Sequence, residues 1–272
     1  MNWRAFLTGG LVVSAGLLVY GALVEANRLV VRRRSLRLRG WPDRLDGFRI
    51  ALLADFHLRD AHTVALGRRA VSAALDASPD MVVIAGDFVG YWKPASVEML
   101  GEVLEPLLAM EGNVVAVPGN HDYYGAGDAD HLEVICDALN IRLLRNELWT
   151  HQGVHWLGID SLNAGDPDPY TPLRSFDGTG PIVALWHEPD WVEVLPTGVT
   201  LQLSGHSHGG QFLAPWGWAP MSTENGRRYV RGFYPDAPTP VYVTAGIGTT
   251  GPPSRLFCPP EVVVLTLHSD LS

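Results

Sequence analysis

Short runs that are apolar at nearly every position punctuate the chain from residue 49 onward. Residues 49–54 (RIALLA), 81–85 (MVVIA) and 113–117 (NVVAV) read as strands buried on both faces. Between the first two, residues 63–76 have helix-forming composition. Between the second and third, residues 96–110 place Val97, Leu100, Val103, Leu104 and Leu107 at helical spacing and end near Gly112. Residues 130–139 predict a third helix. This βαβαβ opening favours a parallel sheet with helices against it. The second half reads differently: residues 142–144, 155–159, 182–185, 200–203, 241–245 and 262–267 look like strands with few long helices between them. A second sheet stacked on the first, an α/β sandwich, is the architecture this pattern predicts. Two stretches rich in Gly, Pro and aromatics, 165–180 and 213–236, are longer than ordinary connections, and such loops in a compact domain are more often functional than idle.

The pattern ahead of residue 49 is of another kind. Residues 5–24 (AFLTGGLVVSAGLLVYGALV) contain no charge, and as a helix they extend roughly 30 Å, the thickness of a bilayer's hydrocarbon core. A cleaved signal peptide usually has a shorter apolar region of about 7–15 residues and an A-x-A-like site. Here the run continues into LVEANR, a poor cleavage site, so residues 1–27 are expected to be a retained transmembrane anchor. Residues 28–47 form a basic leader, strand or linker, in which Leu36-Arg37-Leu38-Arg39 alternates like a strand. Residues 48–272 are then expected to form one folded domain. The arginines that follow the span place the body on the cytoplasmic side by the positive-inside bias.

Charge sharpens this division. Residues 1–49 carry nine arginines against three acidic residues, while the remaining 223 carry 11 basic and 26 acidic groups, for a net charge of −9 over 272 residues. The acidic body argues against nucleic acid as the main partner. With 47% hydrophobic and 18% charged residues, the chain is not a disordered one. Cys136 and Cys258 lie far apart, which excludes a disulfide scaffold and a cysteine zinc site.

Each predicted core strand ends in polar residues suited to hard metals: Asp55-Phe56-His57, Gly86-Asp87, Gly119-Asn120-His121-Asp122, His187-Glu188-Pro189 and Gly205-His206-Ser207-His208. In open α/β sheets ligands collect outside the carboxyl ends of strands, so these distant clusters are expected to converge. Imidazole and carboxylate without thiolate suit Zn, Fe or Mn. Seven potential ligands exceed the needs of one four-coordinate ion; two ions sharing a carboxylate use them all, an arrangement suited to displacement at phosphorus. A lone histidine is usually a surface or packed residue, but five of the ten histidines fall inside these motifs. His62, His131, His151, His155 and His268 are read as solvated or packed. Glu188 is not a protease base, because Pro189 and the missing second histidine break the H-E-x-x-H pattern. Asp160-Ser161-Leu162-Asn163 is read as a turn or as part of the site's lining. Phe212, Trp216, Trp218, Phe233 and Tyr234 either pack beneath the loop or form an apolar rim for an acyl chain or base. Arg174, Arg227, Arg228, Arg231 and Arg255 are the arginines available to pair with phosphate.

Together and in this order, these five motifs resemble the calcineurin-like metallophosphoesterase superfamily over roughly residues 48–267. With the preceding apolar span, the segments HEPD (187–190), GHSHGGQ (205–211) and AGIGTTGPPSRLFCPPE (245–261) are similar to a bacterial membrane-associated branch that includes UDP-diacylglucosamine pyrophosphatases. The resemblance implies a four-layer α/β/β/α sandwich of two mixed sheets. It implies two divalent metal ions (Mn, Zn or Fe), one held by Asp55, His57, Asp87 and His208, the other by Asp87, Asn120, His187 and His206. A hydroxide between them is the implied nucleophile, His121 the general acid or electrostatic stabiliser, and Asp122 the residue that orients it. Phe56, where Leu is common, and Arg59-Asp60, where Gly is frequent, depart from the branch pattern without removing a ligand. The function expected is hydrolysis of a phosphodiester or pyrophosphate in a lipid-linked substrate. A phosphoesterase of the same fold acting on soluble nucleotides, cyclic phosphodiesters or phosphoproteins, and a non-catalytic membrane-tethered module, are the rival readings.

Overall fold

In the computed structural model, which describes residues 16–125 and 129–270, the apolar runs become the middle of a six-stranded sheet. Its order is β1 (Val30–Leu38), β12 (Glu261–Ser269), β2 (Phe48–Leu53), β3 (Met81–Ala85), β4 (Val114–Val117) and β5 (Arg142–Leu143). Strands β2 to β5 run parallel, and β12 is antiparallel to β2 and parallel to β1. Three helices cover one face: α1 (Ala61–Asp76), α2 (Ser96–Leu104) and α3 (Ala129–Ala138). They bury Val64, Ala70, Leu100, Val103 and Leu132 against Leu53, Ile84 and Ala116.

The other face of this sheet packs on a second one. Its six strands lie in the order β10 (Gly232–Tyr234), β11 (Val241–Val243), β9 (Val199–Ser204), β8 (Ile182–Leu185), β7 (Val154–Gly158) and β6 (Glu147–His151). Ile50, Leu52, Val83, Val115 and Leu265 interdigitate with Trp156, Val183, Leu185, Leu201 and Leu203 to make the central core. Such strands must be apolar on both faces, which is why they are uninterrupted hydrophobic runs. Both sheets are mixed, as expected. The fourth layer differs from the expected helical one: among the described residues, the outer face of the second sheet is covered by 3-10 turns, Thr171–Ser175 and Pro189–Val194, and by loops. Pro172, Pro189 and Pro196 punctuate those connections, and proline inside a helix removes a hydrogen bond and clashes with the preceding turn.

The basic leader is not a detached linker where it is extended. Arg32, Arg33, Arg34 and Arg37 lie on β1, the outer strand of the first sheet, with Leu36 and Leu38 buried. Charged side chains on an edge strand discourage pairing with other chains. Most of the expected anchor, residues 1–15, lies outside the described residues. Residues 16–23 are helical, and among the described residues no helix is long and apolar enough to cross a membrane. This short helix is tied to the domain's tail: the Arg255 amide donates to the Gly21 carbonyl (3.2 Å) and the Ser254 hydroxyl to that of Leu18 (3.4 Å). There is no room for a side chain at Gly21, where a Cβ would lie 2.3 Å from Ser254 Oγ.

Candidate metal centre

Strand ends from both sheets meet at one seam. Asp55 and His57 follow β2, Asp87 follows β3, and Asn120 opens a 3-10 turn (Asn120–Tyr123) after β4. From the second sheet, His187 follows β8, and His206 and His208 follow β9. All seven are buried. Donor atoms of Asp55, His57, Asp87 and His208 lie within 4.8 Å of one another, and so do those of Asp87, His187 and His206, so Asp87 belongs to both groups.

The backbone is bent to achieve this. Asp55, His57, Asp87, His206 and His208 all have positive φ, between 46° and 69°. A non-glycine residue in the left-handed region costs roughly 1–2 kcal/mol, and such strain persists only where the surroundings over-determine it. Glycines supply the remaining clearance. A Cβ at Gly119 would sit 2.3 Å from Asp87 Oδ1, and one at Gly246 (φ 69°) 2.5 Å from Asp55 Oδ2.

Hydrogen bonds orient the rings. The His187 Nδ1–H donates to the Ala85 carbonyl (2.6 Å), which turns Nε2 towards Asp87 Oδ2 at 3.1 Å. The His206 Nε2–H donates to the Glu224 carbonyl (2.6 Å), so Nδ1 is its free donor atom. His57 Nε2 and His208 Nε2 face each other at 3.0 Å. Fixing one ring nitrogen on a carbonyl to set the tautomer of the other is how ligating histidines are prepared.

Electrostatics show what the cluster lacks. Burial, reinforced by the Asp87 charge, pushes the Asp55 carboxyl up to about 7. Burial holds His57 below its usual range, and burial with the neighbouring His57 holds His208 well below. Burial also opposes charge on His187, yet the Asp87 and Asp55 carboxylates hold it well above the ordinary imidazole value. Burial likewise works against the Asp87 carboxylate, but His187 and His57 keep it ionised. A proton on His187 therefore does the work of a positive charge placed between the carboxylates. Asn120 Oδ1 is buried with no hydrogen-bond partner among the described residues, a state that costs about 1–3 kcal/mol unless another ligand meets it. Buried imidazoles and carboxylates around a shared Asp87, with an unmet amide oxygen beside them, fit divalent cations.

His121 lies beside the cluster, its ring centroid 4.6 Å from that of His57. Its backbone amide donates to Asp87 Oδ1 (2.8 Å), and its Nδ1–H donates to the Gly90 carbonyl (2.7 Å). The expectation that Asp122 orients this ring is corrected by the structure. The fully buried Asp122 carboxylate accepts four backbone amides, those of Asp87, Phe88, Val89 and Gly119, at 2.8–3.1 Å. Its oxygens are consumed by the loops after β3 and β4, and Gly90 holds the ring instead. Burial, with the nearby Asp87 charge, pushes Asp122 up to about 7.

Other residues take roles that their types alone did not reveal. Arg255 does not face a phosphate: it is fully buried and donates to the carbonyls of Ala245, Gly246, Gly248, His208 and Cys258. It is the sole charge between residues 245 and 260, and an isolated charge in an apolar stretch is the signal that it is buried. Arg228 pairs with Glu193 (3.0 Å). Glu188 accepts from the Ser161 hydroxyl (2.7 Å) and the Leu162 amide (3.1 Å), fixing the turn that brings Asn163 within 3.4 Å of His206 Nε2. Asp190 accepts the amides of Arg227, Arg228 and Tyr229, holding the second long loop against the site.

Comparison with known proteins agrees with this chemistry. The model of the calcineurin-like phosphoesterase family matches residues 48–210. The chain is 28% identical to YkuE, an uncharacterized metallophosphoesterase of Bacillus subtilis, over 99% of this chain and 98% of that one. It is 31% identical to the phosphodiesterase YaeI of Escherichia coli, over 85% and 86% of the two chains. It is 26% identical to LpxG, the UDP-2,3-diacylglucosamine pyrophosphatase of Chlamydia muridarum, over 93% and 94%. With buried His/Asp groups able to hold metal and a family model spanning most of its length, the chain belongs to the calcineurin-like phosphoesterases and is a metal-dependent phosphoric ester hydrolase.

Proposed function

We propose that the chain cleaves a phosphodiester or pyrophosphate bond in a lipid-linked substrate, using two divalent cations (Mn, Zn or Fe). One is held by Asp55, His57, Asp87 and His208, the other by Asp87, Asn120, His187 and His206. The observation that carries this reading is that Asp87 is common to two buried donor groups, Asp55, His57, Asp87 and His208 on one side and Asp87, His187 and His206 on the other, beside an Asn120 Oδ1 that has no hydrogen-bond partner among the described residues. When bound, such a pair of cations lowers the pKa of water towards neutrality and polarises a phosphoryl oxygen. The chain's own residues do the rest. Gly90 fixes the His121 ring so that Nε2 points away from the bonded edge and delivers a proton to the leaving oxygen. Asp122 keeps the loops of Asp87 and His121 in register, acting through the backbone rather than on substrate.

Three features support the lipid-linked class. An uncharged run over residues 5–24 precedes the domain and its end docks on residues 254–255. An apolar pocket of about 200 Å³, lined by Phe212, Met221 and Pro252, opens beside His208. One relative is named for cleaving a diacylated nucleotide sugar. The run is the membrane anchor in this reading, and the arginines that follow it favour a cytoplasmic body. Purified protein loaded with Mn²⁺ and assayed by mass spectrometry against lipid-linked and soluble phosphoesters tests it. Turnover of lipid-linked diesters or pyrophosphates is expected; turnover of soluble monoesters alone overturns the substrate class.

A further inference from the structure

The rim of the metal centre is uncharged over two long segments. Residues 207–222 (SHGGQFLAPWGWAPMS) contain no Asp, Glu, Lys or Arg, and the only charge in residues 245–260 is the buried Arg255. Large apolar side chains stand out from both: Trp216 is 78% exposed, Met221 66%, Trp218 60% and Phe257 46%. Isolated exposed apolar residues are ordinary, but a contiguous group marks a surface that meets something other than water.

The two segments are one surface. The Leu213 amide donates to the Leu256 carbonyl (2.9 Å) and the Leu256 amide to that of Gln211 (3.0 Å). Gln211 Nε2 reaches the Thr250 carbonyl (2.9 Å), closing the other end. The same tail, at Ser254 and Arg255, holds the helical residues 16–23, whose Leu17, Leu18 and Leu23 are themselves exposed. The helix, the tail and the tryptophan loop are thus joined side by side, with the pocket beside His208 opening between tail and loop at Gln211, Met221, Thr250 and Pro252.

We propose that this rim is a bilayer-contacting surface: Trp216, Trp218, Met221 and Phe257 seat in the interfacial layer of the membrane next to the anchoring helix. The mouth of the pocket then faces the lipid. The occupant is a bilayer rather than a protein partner because the surface is joined to the helical residues 16–23, the described end of an uncharged stretch of sequence, and because its two segments combine tryptophan with no exposed charge of their own. Tryptophan prefers the membrane–water boundary, where its ring is buried and its N–H stays wet. The proposal rests on the lipid-linked reading above and extends it: an acyl chain passes from bilayer to pocket without crossing water, while the phosphoester is held at the seam.

The test uses the full chain reconstituted in phosphatidylcholine–phosphatidylglycerol vesicles, with and without brominated phosphatidylcholine, beside the double variant W216F/W218F. Subtracting the variant's emission from that of the wild type isolates two of the nine tryptophans. We expect this difference emission to be quenched by the brominated lipid and shielded from aqueous iodide. Difference emission that ignores bromine and is quenched by iodide overturns the proposal. So does shielding that appears in detergent at high protein concentration and vanishes on dilution, which identifies the rim as a self-association surface. Hydrolysis of bis(p-nitrophenyl) phosphate with Mn²⁺ is measured on both proteins as a check on the fold and the centre. Bromine quenching in a protein that turns over only soluble esters supports the surface while rejecting the lipid-linked substrate, so the two ideas fail separately.

Discussion

Asp122 has two carboxylate oxygens and four backbone donors, and that count decides what it does. The amides of Asp87, Phe88, Val89 and Gly119 converge on a side chain with no solvent exposure. Replacing it by Asn puts an NH2 group where an acceptor is needed and strands at least one buried amide, a loss on the order of 2–3 kcal/mol. For a domain of this size that lowers Tm by roughly 5–10 °C. Because Gly90 rather than Asp122 holds His121, we expect D122N to melt earlier while the alkaline limb of the pH–kcat/KM profile, which reports the general acid, stays in place. Calorimetry and the pH profile together check this; an unchanged Tm with a displaced alkaline limb would return Asp122 to the role of orienting the ring. The example also marks where sequence reading stops at this scale. The convergence of Asp55, His57, Asp87, His187, His206 and His208 was legible because few residue types suit a hard metal and these stand at strand ends. The partner of Asp122 was not, because a carboxylate beside a histidine has the same spelling whether it binds a ring or a backbone. Nor was it legible that Asp55, His57, Asp87, His206 and His208 themselves take the left-handed conformation, since that region favours glycine over residues with a side chain.

At the scale of elements, the loop carrying Asp55 and His57 is bounded by the end of β2 at Leu53 and the start of α1 at Ala61. Asp60 is the N-cap that stops it: its carboxylate accepts the Thr63 amide (2.8 Å) and the Thr63 hydroxyl (3.0 Å), while its own amide donates to that hydroxyl (3.1 Å). Partial burial works against ionisation, but the hydrogen bonds from Thr63 and the charge of Arg59 outweigh it, so Asp60 lies below the ordinary aspartate value. A carboxyl lowered by folding stabilises the protein above its unfolded pKa, about 3.9, and that contribution disappears as pH falls through the lower folded value. D60A should therefore cost about 1 kcal/mol at pH 7 and D60N much less. The gap between wild type and D60A should close at pH values below the ordinary carboxylate range. Urea titrations at neutral and acid pH measure both; a gap that persists in acid would show that the cap does not depend on charge. This helix was readable in advance, as were the interior strands, because two-sided burial leaves an unbroken apolar run. β6 (ELWTH) and β10 (GFY) were not, since they are short edge strands, mostly half-buried, that need no such run. The helical fourth layer failed for the complementary reason: a sheet's outer face needs only to be covered, and proline-rich turns cover it.

Across the whole molecule, the centre sits where the two sheets meet. Asp55, His57, Asp87 and Asn120 hang from the first sheet, and His187, His206 and His208 from the second. The apolar core between the sheets holds them together everywhere else. At the seam, by contrast, two carboxylates share a space closed to water, and only one histidine is driven to carry a compensating proton. In the two-cation reading proposed above, each ligand set draws on both sheets, so a bound ion would cross-link them and favour the folded chain alone. A ligand at about 100 times its Kd contributes about 2.7 kcal/mol to folding, which corresponds to roughly 5–10 °C in Tm for a domain of this size. We expect the chelated protein to melt lower than the Mn²⁺-loaded protein by about that amount, with Tm rising as free metal is raised. D87A, which removes the one donor common to both proposed sets, should have a Tm that barely responds to metal. The comparison is a melting curve and therefore independent of any substrate. Equal melting temperatures with and without metal would mean that the seam is held by its backbone hydrogen bonds alone, and that the strained loops stand ready without the ions they are shaped for.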